Sequence, residues 1–359
     1  MLGFGRLDMY LADGPFGIPL AGYCLAYIQL CERGIVHGGR YRDPKVPKRT
    51  VMTKKKKTGQ TRCGMVSIVG RPNVGKSTLL NQIVGEKIAI VSRVPQTTRN
   101  QIRGIYNDDR GQIIFLDTPG LHLGKDKLDK FMNQTASGTI DDADCVIYLV
   151  DTSRRVGEEE ENIAAKIAGV KAHVILGLNK IDLKGRNVAD YIALWERAKG
   201  KPVTEIKNFT LISLSGQKGM NIEPLIDILF DYLPEGPALY PTDTVCDIPQ
   251  RLVIADIIRE KLFKSLKNEI PHSLGVVVED MRPVRKKTMN IKVLIFVERD
   301  TQKEIVIGKN GEVLKKAGTL ARKELEELLG MRVFLECYAK TQKHWRDNIS
   351  LLQEFGYDQ

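Results

Sequence analysis

One stretch of eight residues constrains this chain more than any other: Gly70-Arg71-Pro72-Asn73-Val74-Gly75-Lys76-Ser77. It has the pattern G-x-x-x-x-G-K-S, it follows the apolar run Met65–Val69, and it precedes a helix-like run that begins at Thr78. A strand, a glycine-rich turn and a helix in this order form a phosphate-binding loop, whose backbone N–H groups and helix N-terminus face the phosphates. An ordinary glycine-rich turn is the alternative, and the flanking segments argue against it.

Each residue type in this loop suits a phosphate ligand. Gly70 and Gly75 let the backbone approach closely, because a Cβ would obstruct it. Lys76 is expected to reach the β- and γ-phosphates, and Ser77 to ligate Mg²⁺. The sequence therefore predicts a nucleotide site that includes residues 70–78.

A second motif, Asp117-Thr118-Pro119-Gly120, follows another apolar run, 112–116. The pattern D-x-x-G is weak alone, but it gains weight at this distance after a phosphate loop. Asp117 is expected to hold Mg²⁺ through water, and the Gly120 N–H to approach a γ-phosphate.

A third motif, Asn179-Lys180-Ile181-Asp182, has the pattern N-K-x-D and also follows an apolar run. The Asp182 carboxylate can accept from two N–H groups of guanine that adenine does not offer, and it would be left unpaired against the wrong base. A polar strand end is the alternative. Ser213-Leu214-Ser215 is expected to take the place of the usual S-A-x motif that contacts the base, with Leu214 standing where Ala is usual.

The three motifs together predict a GTP-binding domain of the Ras-like class. A switch threonine should close onto Mg²⁺ when a γ-phosphate is present, and Thr98 is the first choice, with Thr97 the alternative. An ordinary mobile loop is the competing interpretation of that segment. Position 121 is Leu, which cannot orient a water as the catalytic glutamine of Ras-like proteins does.

The order of apolar and helical patterns predicts the fold. Between residues 65 and 233 five apolar runs alternate with helical patterns, which is typical of an α/β domain with a mainly parallel sheet and helices on both faces. The prolines of 234–249 indicate a linker. The patterns in 250–345 predict an α+β domain, and 346–359 a tail.

The loop Gly308-Lys309-Asn310-Gly311 has the G-x-x-G pattern of a KH domain, which clamps a single-stranded nucleic-acid backbone. It follows the apolar run 305–307, interpreted as strand-like, and precedes a long helical pattern. Trp345 and Tyr338 are candidates for base stacking, with packing in the core as the alternative for each.

The basic charge lies mostly at the N-terminus. Of the net charge of +11, residues 1–64 carry 12 Lys and Arg against 4 Asp and Glu. We interpret 1–61 as an extension outside any fold and expect translation to begin at Met52, which leaves Lys54–Lys57 as a basic tail. The six cysteines form no C-x-x-C pair, so we expect no metal or disulfide framework.

Residues 62–357 resemble the Era family, bacterial GTPases with a C-terminal type II KH domain, within the TrmE-Era-EngA-like class. The matching segments are GRPNVGKSTLLN at 70–81, QTTR at 96–99, DTPGLH at 117–122, NKID at 179–182, EIPHS at 269–273, VIGKNG at 306–311 and WRDN at 345–348. The resemblance implies GTP and GDP as ligands, Mg²⁺ as cofactor, and catalysis that depends on Lys76, Thr98, Asn73 and Gly120. It also implies K⁺ held near Asn73, since related GTPases without the glutamine use an Asn at this place. An Asn that only caps the loop is the alternative.

The resemblance implies a cytoplasmic monomer that binds the 3′ end of 16S rRNA through residues 308–311 and assists maturation of the 30S subunit. It further implies peripheral association with the inner membrane. Two other functions compete: a tRNA-modifying or tandem-domain GTPase, and a membrane-surface GTPase switch whose C-terminal domain binds protein. The former predicts a second phosphate loop or a C-terminal cysteine motif, and the sequence contains neither.

Overall fold

The computed structural model describes residues 61–91, 101–120, 126–183, 187–266, 274–285 and 287–354. The expectations for 1–60, Thr97, Thr98 and Leu121 lie outside these ranges. The described residues form two sheets, a six-stranded one followed by a three-stranded one.

The first sheet takes its strands from the N-terminal part of the described chain. They are β1 (Arg62–Val69), β2 (Ile102–Asp108), β3 (Gly111–Asp117), β4 (Cys145–Asp151), β5 (His173–Asn179) and β6 (Phe209–Ser213). The helices between and after them are α1 (Lys76–Val84), α2 (Lys127–Asp141), α3 (Glu158–Ala168), α4 (Val188–Lys199) and α5 (Ile222–Tyr232). The strand order is β2-β3-β1-β4-β5-β6, and every pair is parallel except β2 with β3.

Strand β4 is buried along its whole length, which explains its continuous apolar sequence. Successive side chains enter opposite layers: Cys145 and Ile147 join one hydrophobic cluster, and Val146 and Tyr148 join the other. Helices therefore cover both faces of the sheet, as the alternation of patterns predicted.

Strand β2 was not predicted, because its sequence mixes apolar and polar residues: Ile102 and Ile105 are buried, whereas Arg103 between them is exposed. It pairs antiparallel with β3, and its other edge meets the predicted linker. The Ile105 N–H donates to the Val245 carbonyl at 2.9 Å, and the Asp247 N–H donates to the Arg103 carbonyl at 3.1 Å. Residues 245–247 thus lie along the edge of the sheet.

The second sheet lies in the C-terminal part. Its elements are α6 (Gln250–Ser265), β7 (Gly275–Arg285), β8 (Thr288–Val297), α7 (Asp300–Ile307), α8 (Glu312–Leu329), β9 (Arg332–Thr341) and α9 (Ile349–Glu354). Strand β8 lies in the centre, antiparallel to β7 and parallel to β9. Residues of α6 and α8 pack with one face of this sheet in a single hydrophobic cluster.

The strand-like interpretation of 305–307 is wrong, since these residues end helix α7. The helix begins where the Gln302 side chain turns back and accepts from the N–H groups of Glu298 and Arg299, at 3.0 and 3.1 Å. A side chain that satisfies these amide donors at a helix start favours helix over strand. Val306 is fully buried in the core, whereas Ile307 is only half-buried.

Trp345 joins the two parts of the chain. It is fully buried and packs with Leu128 and Met132 of α2 and with Val277 and Phe296 of the second sheet. For Trp345 the packing alternative is therefore confirmed, while Tyr338 is 47% exposed. Among the described helices, none combines the length and the apolar character that a bilayer span requires.

Candidate nucleotide-binding and RNA-binding sites

The phosphate-binding motif lies between β1 and α1, in a backbone shape that only glycine permits at two points. At Gly70, which has φ 156°, an added Cβ would lie 2.3 Å from the Leu149 carbonyl oxygen. At Gly75, which has φ 105°, it would lie 2.6 Å from Nδ2 of Asn179. The glycines are required because neighbouring loops close tightly around this turn.

Lys76 is the first residue of α1 and is buried. Its Nζ donates to the carbonyls of Gly70 at 3.1 Å and Arg71 at 3.0 Å, so the ammonium group lies inside the turn of the loop. Burial lowers the pKa of Lys76 to about 8, although Asp117 and two glutamates oppose that shift. A desolvated ammonium group of this kind attracts an anionic ligand more strongly than a solvated one does, because less water screens the two charges.

Two of the three residues expected to hold Mg²⁺ meet in the structure, and the third, Thr98, lies outside the described residues. The Ser77 hydroxyl donates to Oδ2 of Asp117 at 2.7 Å, across the gap between α1 and the end of β3. Thr118 is buried, and its hydroxyl donates to the Ile68 carbonyl at 3.1 Å. Both bonds fix the end of β3 against β1 and the phosphate loop.

Gly120 lies against the phosphate loop. A Cβ there would lie 2.8 Å from the Pro72 nitrogen, and Pro119 beside it is also buried. The absence of a side chain at position 120 lets the two chain segments touch.

The N-K-x-D motif binds the phosphate loop directly. Asn179 ends β5, and its Nδ2 donates to the Val74 carbonyl at 2.7 Å. Nζ of Lys180 donates to the Asn73 carbonyl at 2.8 Å and to Oδ2 of Asp151 at 2.6 Å. Both Asn73 and Lys180 have positive φ, 64° and 65°, which turns each side chain or carbonyl toward its partner. These bonds hold the loop and the base motif together.

Asp182 is bonded by Ser215, which the sequence reasoning took as the third residue of the S-A-x motif rather than as its serine. The Ser215 hydroxyl donates to Oδ1 of Asp182 at 2.6 Å, and the Lys218 N–H donates to the Ser215 hydroxyl at 3.1 Å. The Gly216 N–H donates to Oδ1 of Asn179 at 3.0 Å. Ser215 and Gly216 therefore lie beside the first and last side chains of the N-K-x-D motif, those of Asn179 and Asp182.

Ser213 and Leu214, expected at this place, do not bond the Asp182 carboxylate, although the Leu214 carbonyl accepts from the N–H of the neighbouring Ile181 at 3.4 Å. Ser213 is the last residue of β6, and the Leu214 side chain is buried in the core while its N–H donates to the Leu178 carbonyl at 2.9 Å. A usable signal was present, because Ser215-Gly216 is a serine followed by a small residue. An added Cβ on Gly216 would lie 3.2 Å from the backbone of Leu79, so α1 leaves room for a small residue only.

The G-x-x-G loop links α7 to α8. Gly308 has φ 76°, and a Cβ on it would lie 2.5 Å from the Val313 side chain. Gly311 also has φ 76°, and between the two glycines Asn310 adopts φ 53°. Lys309 and Asn310 are exposed at the tip. The loop presents a cation and an amide on a backbone that another chain can approach closely.

Two family models match this chain. One, described as a 50S ribosome-binding GTPase, matches residues 65–180, and the other, described as a KH domain, matches residues 269–346. The chain is 43% identical to the GTPase Era of Geotalea daltonii over 304 residues, which are 83% of this chain and 99% of that protein. It is 41% identical over 294 residues to the GTPase Era of Halothermothrix orenii, covering 82% and 98%.

Two solved structures are similar over the same share. One is an Era structure in complex with MgGDPNP and nucleotides 1506–1542 of 16S ribosomal RNA, with a TM-score of 0.78 and 36% identity. The other is a point variant of Aquifex aeolicus Era bound to GDP.AlF4-, with a TM-score of 0.77 and 36% identity. Each covers 83% of this chain and 100% of the solved chain.

Proposed function

This chain belongs to the Era family of GTPases, and from that premise we propose that it binds 16S rRNA near the 3′ end and assists maturation of the small ribosomal subunit. In this proposal residues 62–233 bind and hydrolyse GTP, 250–345 bind RNA, and 234–249 connect the two. The observation that carries it is the presence, in one chain, of a phosphate loop tied to an N-K-x-D motif and of an exposed G-x-x-G loop.

The described residues fit a guanine nucleotide with Mg²⁺. Gly70, Gly75 and Gly120 leave a turn that a Cβ would fill, and the buried Lys76 supplies a positive charge. Ser77 and Asp117 offer hydroxyl and carboxylate oxygens, the donors that Mg²⁺ prefers. When bound, the metal ion supplies charge that stabilises the phosphoryl group during transfer.

The protein's own residues bind and orient the nucleotide. We propose that the N–H groups of the loop and Lys76 hold the phosphates, while Asp182 accepts from guanine. Ser215 orients that carboxylate by its hydrogen bond, and we therefore assign base positioning to Ser215 and Gly216 in place of Ser213 and Leu214. Thr98 remains the proposed switch residue.

We propose that K⁺ stimulates hydrolysis through Asn73. The support is the fixed carbonyl and positive φ of Asn73, together with a Leu at position 121 that cannot orient water. A cation beside the phosphates would supply charge that an arginine supplies in other GTPases. GTP turnover in potassium buffer should exceed that in sodium buffer; equal rates would remove this role.

Peripheral association with the cytoplasmic face of the inner membrane is a separate proposal that rests on family resemblance. Flotation of the protein with anionic vesicles would support it, and recovery of all protein in the lipid-free fraction would count against it. The alternative function, a membrane-surface switch with a protein-binding C-terminal domain, predicts vesicle binding without RNA binding.

The RNA proposal is tested with the full chain and a labelled single-stranded RNA that carries the 3′-terminal sequence of 16S rRNA. A scrambled RNA of the same composition is the control. We expect binding of the native sequence to be at least about tenfold tighter, because base edges must be read beyond the phosphate contacts. Equal affinity for both RNAs would show that the protein binds RNA only through non-specific contacts of its basic residues with phosphates.

A further inference from the structure

A buried ion pair lies behind the phosphate loop, and its acidic member has no role in the function described so far. Arg71, the second residue of the loop, extends from it to helix α3, where its Nε pairs with Oε2 of Glu160. The Glu160 side chain is fully buried and that of Arg71 is 13% exposed.

Two tyrosines complete the surroundings of this pair. The Tyr148 hydroxyl donates to Oε1 of Glu160 at 2.9 Å, and a terminal nitrogen of Arg71 donates to the Tyr191 hydroxyl at 3.3 Å. The Tyr191 hydroxyl in turn donates to the Asp151 carbonyl at 3.0 Å. Both charges therefore have fixed partners that belong to β4 and α4 rather than to solvent.

A second ion pair joins the same loop from its other side. Asp151 accepts from Lys180, which also donates to the Asn73 carbonyl. Desolvation opposes the charge on Asp151, but the bonds from Lys180 and Ser153 outweigh it and lower its pKa. The loop is thus held at Arg71 through Glu160 and at Asn73 through Lys180.

Charge at position 160 is not explained by stability alone. Burial raises the pKa of Glu160 in spite of the neighbouring Arg71. Apolar residues of similar volume often serve a protein's stability as well as a buried ion pair does. What the pair adds is direction, because the hydrogen bonds from Tyr148 to Glu160 and from Arg71 to Tyr191 restrict how the two paired side chains lie.

That arrangement bears on the ligand through the backbone. The Arg71 carbonyl is one of the two acceptors that hold Nζ of Lys76. Fixing Arg71 from behind therefore fixes where its carbonyl lies and, with it, the ammonium group in front.

We propose that Glu160 is a positioning residue for nucleotide binding: through Arg71 it holds the phosphate loop in its binding shape before the nucleotide arrives. A protein whose competent loop is only partly populated binds its ligand more weakly by that fraction. Once the nucleotide is bound, the phosphates themselves hold the loop, so turnover at saturation is unaffected.

The test compares Glu160→Gln with Glu161→Gln. The control makes the same change at the next residue, where the side chain is 58% exposed and lies 3.8 Å from Arg197. Binding of a fluorescent GDP analogue and the KM and kcat of GTP hydrolysis are measured, with the melting temperature recorded for each variant. We expect Glu160→Gln to weaken GDP binding and raise KM by about tenfold, with kcat unchanged, and Glu161→Gln to match the parent.

A double variant, Arg71→Met with Glu160→Leu, separates positioning from stability and serves also if Glu160→Gln fails to fold. It removes both charges, so its melting temperature should lie near that of the parent while GDP binding stays weak. Parental GDP affinity in Glu160→Gln, or in the double variant, would overturn the proposal. So would a loss of kcat at unchanged KM.

Discussion

Single polar residues in this protein form hydrogen bonds that connect loops distant in sequence. Lys180 illustrates the point, because one ammonium group bonds a carbonyl of the phosphate loop and a carboxylate at the end of β4. Asn179 does the same with its amide, which donates to Val74 and accepts from Gly216. Asp182 differs, because its bond comes from the Ser215 hydroxyl, which fixes the orientation of the carboxylate.

The first prediction concerns that carboxylate. Asp182→Asn should weaken GTP binding by at least about a hundredfold and favour xanthosine triphosphate, whose 2-position is an oxygen acceptor rather than an amino donor. Competition binding with GTP, ATP and xanthosine triphosphate measures the change. Ser213→Ala is the matched control, and unchanged GTP preference in Asp182→Asn would remove this residue from the base site.

At the scale of elements, parallel strands bring the motifs to one edge of the sheet. Strands β1, β3 and β5 end at the phosphate loop, at Asp117 and at Asn179, and all three ends point the same way. In the C-terminal part of the chain, the G-x-x-G loop instead joins two helices, α7 and α8. Its two glycines have φ values that other residues adopt only under strain, so its shape is local to the loop.

The second prediction follows from that locality. Replacing Lys309 and Asn310 by Asp should reduce RNA affinity at least about tenfold through repulsion of the phosphate backbone. Nucleotide affinity and melting temperature should stay near the parental values, because both side chains are exposed at a loop tip. Lys303→Asp with Glu304→Asp, one turn back on α7, is the control. Undiminished RNA binding by the loop variant would refute the role of this loop in RNA binding.

At the scale of the whole molecule, polar contacts connect the two parts of the chain. Lys87, just after α1, pairs with Glu260 of α6 at 2.5 Å and with Glu324 of α8 at 2.6 Å. On another side, Arg346 pairs with Asp126 at 2.7 Å, at the start of α2. Lys87 follows α1 and Asp126 precedes α2, so both contacts lie near segments that carry nucleotide motifs.

The third prediction tests the Lys87 contact. Lys87→Glu places a third carboxylate beside Glu260, which is buried, and Glu324. The change should destabilise the contact by about 1 to 2 kcal/mol. Small-angle X-ray scattering should then give a larger radius of gyration, whereas Lys207→Glu, the same charge change on an exposed loop, should not alter it.

RNA affinity measured with GDP and with a non-hydrolysable GTP analogue completes the test of Lys87. If nucleotide changes RNA affinity, linkage requires RNA to change nucleotide affinity by the same factor. Lys87→Glu should reduce that factor. An unchanged radius and an unchanged factor would show that this ion pair does not hold the two parts together.

The sequence by itself determined the nucleotide motifs, the parallel sheet and the G-x-x-G loop. Each depends on information local to a few residues: the φ freedom of Gly70 and Gly308, the apolar continuity of β4, and the helical patterns between strands. Such local features can be recognised in the sequence, because backbone sterics and burial on both faces of a strand directly restrict which residue types occur there.

Only the tertiary structure decided which residues meet across the chain. Ser215 rather than Ser213 reaches Asp182, because β6 ends at Ser213 and the side chain of the next residue, Leu214, is buried in the core. Residues 305–307 end helix α7 where a strand was expected. The bonds that the Gln302 side chain accepts at the start of this helix favour helix, although the run 305–307 is apolar. The pairing of Arg71 with Glu160 left no sequence pattern at all, since two charges far apart in the chain are matched only when packing brings them into the same desolvated space.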